Sequence, residues 1–201
     1  MTNYPAAPVG NQGKRRPSLA RFAADTRGIA ATEFGMVAVP FMMFCISIFG
    51  LGADYFTRNT LSHTVEVSSR VIRTGLAQIG NSGASVQPLT TGQFTTLICN
   101  NADNVLNCDS SHLIVHIQNW TNWAQVAPVA CTDGSGNLTP ATGTGTDLIN
   151  LYTGGASQVV LVTVCYKWDT AKMIPWIPLG KLAGGAGLVQ AASAFRTEPY
   201  N

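Results

Sequence analysis

From Phe34 to Ala53 the chain runs for twenty residues without a charge, FGMVAVPFMMFCISIFGLGA. A helix rises ~1.5 Å per residue, so this run spans ~30 Å, the thickness of a bilayer's hydrocarbon core. Beyond it, ADYFTRNTLSHTVEVSSRVIRTGLAQ keeps helical periodicity, with Leu61, Val65, Ile72, Leu76 and Ile79 on one stripe. Glu66 stands four residues before Arg70 on another face, which adds support for a helix. The pattern predicts one long helix over 29–79, half in lipid and half laid against a globular head. Pro40 is expected to kink it, because proline removes an intrahelical hydrogen bond, and Gly50 and Gly52 to loosen the joint between span and stripe.

After GNSGAS (80–85) the pattern changes. A short helix is expected around Thr90–Leu106, carrying Cys99, with Cys108 just beyond it. His112–Asn119 alternates: Leu113, Val115 and Ile117 share one face, and His112, Ile114 and His116 the other, a half-buried strand. Gln158–Trp168 is apolar on both faces and reads as the central strand. Val189–Arg196 is a weaker last strand, closed by Pro199. Between the first two strands, TDGSGNLTPATGTGTD (132–147) reads as a flexible surface loop. The fold class expected is α+β, a long N-terminal helix packed on a small, mainly antiparallel sheet.

Charge sharpens this picture. Charged residues make up only 11% of the 201, well below the usual quarter. Five of the twelve basic residues (Lys14, Arg15, Arg16, Arg21 and Arg27) precede Gly28, where Asp25 is the single acid. A basic arm directly before an apolar run controls topology at a membrane, so nucleic acid is not the expected partner. The positive-inside rule keeps the arm in the cytoplasm and puts residues 57–201 outside. A signal peptide would have a shorter apolar region and a small-x-small cleavage site after it. A buried core helix would need more sequence to wrap it than this chain has left.

Cysteines agree with that orientation. Cys45 falls within the span as a small apolar filler. Cys99, Cys108, Cys131 and Cys165 are an even set in the external part, suited to two disulfides in an oxidising compartment. Three pairings are open; Cys99–Cys108 with Cys131–Cys165 is favoured, the first pair being close in sequence beside one helix end. Zinc is disfavoured, since no C-x-x-C spacing occurs.

Other candidate chemistry is thin. On a strand, His112 and His116 would lie about 13 Å apart, too far to share an ion, so both read as solvent-facing. His63 reads as helix surface. Asp133 and Asp147 lack the alternating ladder of a calcium loop. Met173–Leu179 (MIPWIPL) is either a core-covering loop or a patch for membrane or partner. No nucleophile elbow or phosphate loop occurs, and no catalysis, cofactor or metal is expected.

The informative stretch is DTRGIAATEFGMVAVPF. Basic residues lead to Gly28 and Ile29, with Glu33 and Phe34 fifth and sixth after the glycine. A glycine admits an extended backbone with no side chain to exclude a peptidase, and a carboxylate at the edge of a membrane helix demands an explanation. This resembles the processing site of type IV prepilins, which a membrane aspartyl peptidase cuts after the glycine. RGIAATEFGMVAVPF is similar to the RG-x-A-x-x-EFA-x-V-x-P opening of the TadE-like family of tight-adherence (Flp-type) pilus systems. SAFRTEPY is similar to that family's AFRNEPF-type ending, with Thr197 where asparagine is common. CYKW followed by a Pro/Trp loop resembles its aromatic-proline segment. The likeness covers both ends and one strand; 80–157 carry little of it.

The resemblance implies a minor pilin or pseudopilin of the bacterial inner membrane. Residues 1–28 would be a cleaved leader, 29–56 the span, and 57–201 a periplasmic pilin-like head that includes an amphipathic helix at 57–79. Its implied partners are the prepilin peptidase, other pilins or pseudopilins, the inner-membrane assembly platform and membrane lipid, with Glu33 and Phe34 serving assembly register. The competing expectations are an uncleaved single-pass anchor presenting a binding or sensory domain, and a membrane-tethered periplasmic hydrolase.

Overall fold

The computed structural model describes residues 28–79, 87–102 and 105–199. The basic arm and the GNSGAS segment lie outside the described residues. Helix α1 spans Ile29–Arg73 and continues through Pro40. It also runs unbroken through Gly50 and Gly52. Gly50 serves close packing: a methyl group there would overlap the Ile174 side chain.

The helix stops earlier than the apolar stripe predicts. Gly75 takes a left-handed φ of 80°, and its N–H donates to the Ile72 carbonyl while Thr74 N–H donates to that of Arg70. Glycine tolerates this geometry at a helix C-terminus without strain. A short helix α2, Leu76–Ile79, follows with its phase reset. Leu61, Val65 and Ile72 are buried as predicted, but Leu76 is 41% exposed, and Ala77 and Gln78 turn inward in its place.

Helix α3, Thr91–Asn101, opens on a capping box. Thr90 Oγ1 accepts from Gln93 N–H, and Gln93 Oε1 accepts from Thr90 N–H, so two orphan donors are satisfied at once. Three strands form the sheet, β1 (Leu113–Trp120), β2 (Val159–Trp168) and β3 (Gly187–Arg196), in the order β1-β2-β3 and antiparallel throughout. Between β1 and β2 lies the one-turn helix α4, Asn150–Thr153.

Register fixes which side chains meet the helix. Val115, Val164 and Ala191 stand in line across the three strands, as do Leu113, Tyr166 and Val189. These residues join Leu61, Val65 and Ile72 of α1 and Phe94 and Ile98 of α3 in one core. The long helix is thus packed, through its C-terminal part, on a three-stranded antiparallel sheet: an α+β, pilin-like arrangement.

The opposite face of β2 is buried too, and its cover is the glycine- and threonine-rich segment read as a flexible loop. Cys131 is disulfide-bonded to Cys165 of β2. Thr142 N–H donates to the Val115 carbonyl and its Oγ1 accepts from Ile117 N–H, so the segment runs along the outer edge of β1. An edge strand covered in this way no longer offers its backbone for pairing with another chain. The segment holds its own shape through two carboxylates. Asp133 accepts from the backbone of Ser135 and Asn137, and Asp147 from Thr144 and the Tyr152 hydroxyl. These bonds pull both carboxyls below their usual pKa range: the Asn137 N–H chiefly at Asp133, the Tyr152 hydroxyl chiefly at Asp147.

The stripe residues give a direct check of the phase reset. Ile72→Ala should cost about 2–5 kcal/mol, as cavity-forming substitutions do, whereas Leu76→Ala should cost about 1 kcal/mol or less. Denaturant unfolding of the two variants in detergent would measure both; equal losses would mean the helix keeps its phase beyond Arg73.

Candidate functional site

Gly28 is exposed and stands immediately before α1. A Cβ added there would meet nothing within 4 Å. No packing requirement among the described residues accounts for the absence of a side chain. Ile29 is the first residue of the helix. Glu33 lies one turn further, ~6 Å along the axis; it is exposed, and Phe34 is 75% exposed. Among the described residues Glu33 makes no ion pair. Gly28, Ile29, Glu33 and Phe34 thus stand within the first turns at the N-terminal end of α1.

The apolar run that follows is exposed along its length. Fourteen large hydrophobic side chains between Phe34 and Phe56 lie open, among them Met36, Phe41, Phe44, Phe49 and Tyr55. This is one helix long and apolar enough to cross a membrane. An apolar surface of this extent needs a cover, since monomeric soluble proteins rarely expose contiguous patches beyond a few hundred Å².

The four outer cysteines form two disulfides, Cys99–Cys108 and Cys131–Cys165, with Cα separations of 6.0 and 5.6 Å. This is the favoured pairing. The first closes the end of α3 onto the connection to β1; the second fastens the covering segment to the central strand. Cys45 is a free thiol. Among the described residues no His, Cys, Asp or Glu group is arranged to hold a metal ion.

The histidines depart from expectation. His116 is 5% exposed rather than solvent-facing, because the 130–139 segment closes over that side of β1. Thr139 Oγ1 donates to the Ala130 carbonyl and sits 3.1 Å from His116 Nε2. With its proton committed, the hydroxyl accepts from Nε2–H, which fixes the neutral tautomer. Burial lowers the His116 pKa below its usual value. His112 is also engaged: its Nε2 lies 2.6 Å from Asp169 Oδ2, and Lys172 Nζ lies 2.6 Å from Asp169 Oδ1. The Lys172 hydrogen bond, with that of His112 behind it, holds the Asp169 carboxyl down at about 2. The His112–Asp169 contact was not readable from spacing, since 57 residues separate the two.

The ending SAFRTEPY has a structural task. Thr197 Oγ1 accepts from Gln158 N–H, and Arg196 Nε donates to the Ser157 carbonyl. Glu198 N–H donates to the Arg73 carbonyl, one of the orphan acceptors at the end of α1, while its carboxylate lies 3.7 Å from Arg73 Nε. The tail therefore ties the last strand to the C-terminus of the long helix. Alongside, His63, Glu66, Arg70 and Arg73 line an open groove of about 600 Å³ against Ser193 and Phe195.

The MIPWIPL segment, left open between two readings, seats on the helix. Ile174 is buried against Gly50, and Trp176 Nε1 donates to Ser47 Oγ at 2.8 Å. Met173 remains 75% exposed and Trp176 45%. Comparison with protein-family models, curated proteins and solved structures gave no significant match.

Two checks follow from this geometry. Non-reducing peptide mapping should recover Cys99–Cys108 and Cys131–Cys165. Loss of the second bridge should cost about 4 kcal/mol against about 3 for the first, because it closes the longer loop; four free thiols would contradict the arrangement. The His116 proton adds a pH term. With its folded pKa below the unfolded value, the unfolded state binds more protons as pH falls through about 6.5. Stability is therefore lost on acidification, at up to about 1.4 kcal/mol per pH unit. His116→Gln should flatten that slope as pH falls below about 6.5, and an unchanged slope would show that His116 does not carry it.

Proposed function

We propose that this chain is a TadE-like pseudopilin or minor pilin, cut after Gly28 by a prepilin peptidase and needed to assemble a tight-adherence (Flp-type) pilus from the inner membrane. One observation carries the reading. An unpacked, exposed glycine opens a helix whose exposed apolar run continues into a pilin-like, disulfide-stapled head. The chain would do no chemistry of its own; it would be a peptidase's substrate and a part of an assembly.

In this reading cleavage exposes the amine of Ile29, a new positive charge at the start of a membrane helix. Where helices bundle and exclude water, that amine needs a partner. The Glu33 carboxylate, one turn along, can supply it within the chain or to a neighbour docking at the right height. An unpaired charge in the hydrocarbon costs about 2.5–3.5 kcal/mol on insertion scales, enough to disfavour a misregistered subunit. Pairing across chains would fix axial register, the best-attested use of buried ionic groups.

Glu33→Ala should then leave processing after Gly28 near normal and the protein stable in the membrane, yet abolish surface pili. Normal pili from that strain would refute the register role. Protease added to spheroplasts should digest residues 57–201; a protected head would contradict the orientation.

A further inference from the structure

We infer that the Met173–Leu179 loop is a second membrane contact, lying in the headgroup and upper acyl region of the outer leaflet beside the span. The inference rests on reading the apolar run as a membrane span. The loop is fastened at Ser47 and Gly50, both within the uncharged run. Asp54, paired with Arg58 at 2.7 Å, is the first charge above that run. Counting back at ~1.5 Å per residue puts Gly50 ~6 Å and Ser47 ~10 Å below Asp54. Whatever is seated there enters the bilayer with the helix.

The loop's chemistry suits that depth. Its open side chains are Met173, Pro175, Trp176 and Pro178, at the level of α1 where Ile48, Phe49 and Leu51 are also exposed. Tryptophan, with an apolar body and a polar N–H, is enriched at membrane interfaces. Backbone in lipid is tolerated only if its polar groups are satisfied. Here Pro175 and Pro178 have no N–H, Ile177 and Leu179 N–H donate to carbonyls inside the loop, and Ile174 N–H donates to the Ala171 carbonyl just before it. Lys172 and Lys181 flank the apolar stretch, both exposed. Lys172 is paired with Asp169; a lysine placed as Lys181 is can reach anionic headgroups while its stem stays with the apolar surface. Gly50 favours the arrangement, since a larger side chain would displace the Ile174 δ-methyl from its place against the helix.

A lipid-bound loop would hold the head at one height and orientation on its span, beyond what a lone helix specifies. The test uses the full chain with Cys45→Ala, carrying Met173→Cys or Pro178→Cys, labelled with an environment-sensitive fluorophore. Each protein is reconstituted in vesicles of phosphatidylethanolamine and phosphatidylglycerol. Labels at Val39→Cys and Asn137→Cys report the span and the far side of the head, and peptide mapping verifies both native disulfides in every variant. The loop labels should show blue-shifted emission and be quenched severalfold more by lipids with a doxyl group near the headgroup than by deep-doxyl lipids. The Asn137 label should stay water-like, and the Val39 label should be quenched most by deep-doxyl lipids. Loop labels as water-like as Asn137, beside a quenched Val39, would overturn the loop contact and leave the span standing, as expected if the patch instead meets another protein. A water-like Val39 label would remove the span and this inference with it.

Discussion

One helix here has to be covered by two different environments, and most of the fold answers to that constraint. Its apolar run presents large side chains outward, where water would be the most costly neighbour, while Leu61, Val65 and Ile72 sink into the core of the head. The same 45-residue element therefore carries an unbroken apolar surface and an amphipathic stripe. The sheet meets the stripe with a row of valines from β2, the only strand among the described residues that is buried on both faces, and β1 and β3 flank it in a simple antiparallel order. The end of the helix is then fastened three ways: by the Gly75 turn, by Glu198 N–H on the Arg73 carbonyl, and by the Arg73–Glu198 ion pair.

A head this small has few elements with which to bury the second face of its sheet. The covering role falls to a segment with almost no regular structure, organised by Asp133 and Asp147 and pinned by Cys131–Cys165. Close approach matters in it. A Cβ on Gly92 of α3 would stand 2.6 Å from the Gly145 carbonyl oxygen, so the loop can lie directly on the helix only because that position is glycine. Gly92 N–H in turn donates to that same oxygen. Such a cover gains most from cross-links, because each residue it orders gives up conformational freedom for little apolar burial.

The long helix, the three strands and the disulfide pairing were legible because they rest on periodicity, alternation and spacing, which are local. The central strand was read from apolar residues on both faces, and it is buried on both. What the sequence did not show depends on contacts distant along the chain. Leu76 looked like part of the stripe until Gly75 turned the backbone and reset the phase. His116 looked solvent-facing because nothing in its neighbourhood announces a covering loop some twenty residues away. Trp176 gave no sign that its N–H would reach Ser47, 129 residues earlier. The Gly28–Glu33 spacing was legible for the opposite reason: its elements are adjacent, and a helix places them on successive turns.

In the function we propose, a peptidase frees a helix that is then covered by lipid or by other helices, with the disulfide-stapled head outside. The most direct test is the N-terminal residue of the protein recovered from cells, by intact mass or terminal sequencing. The account predicts Ile29. A mature chain that still carries residues 14–27 would contradict it, and would leave an uncleaved single-pass anchor in its place.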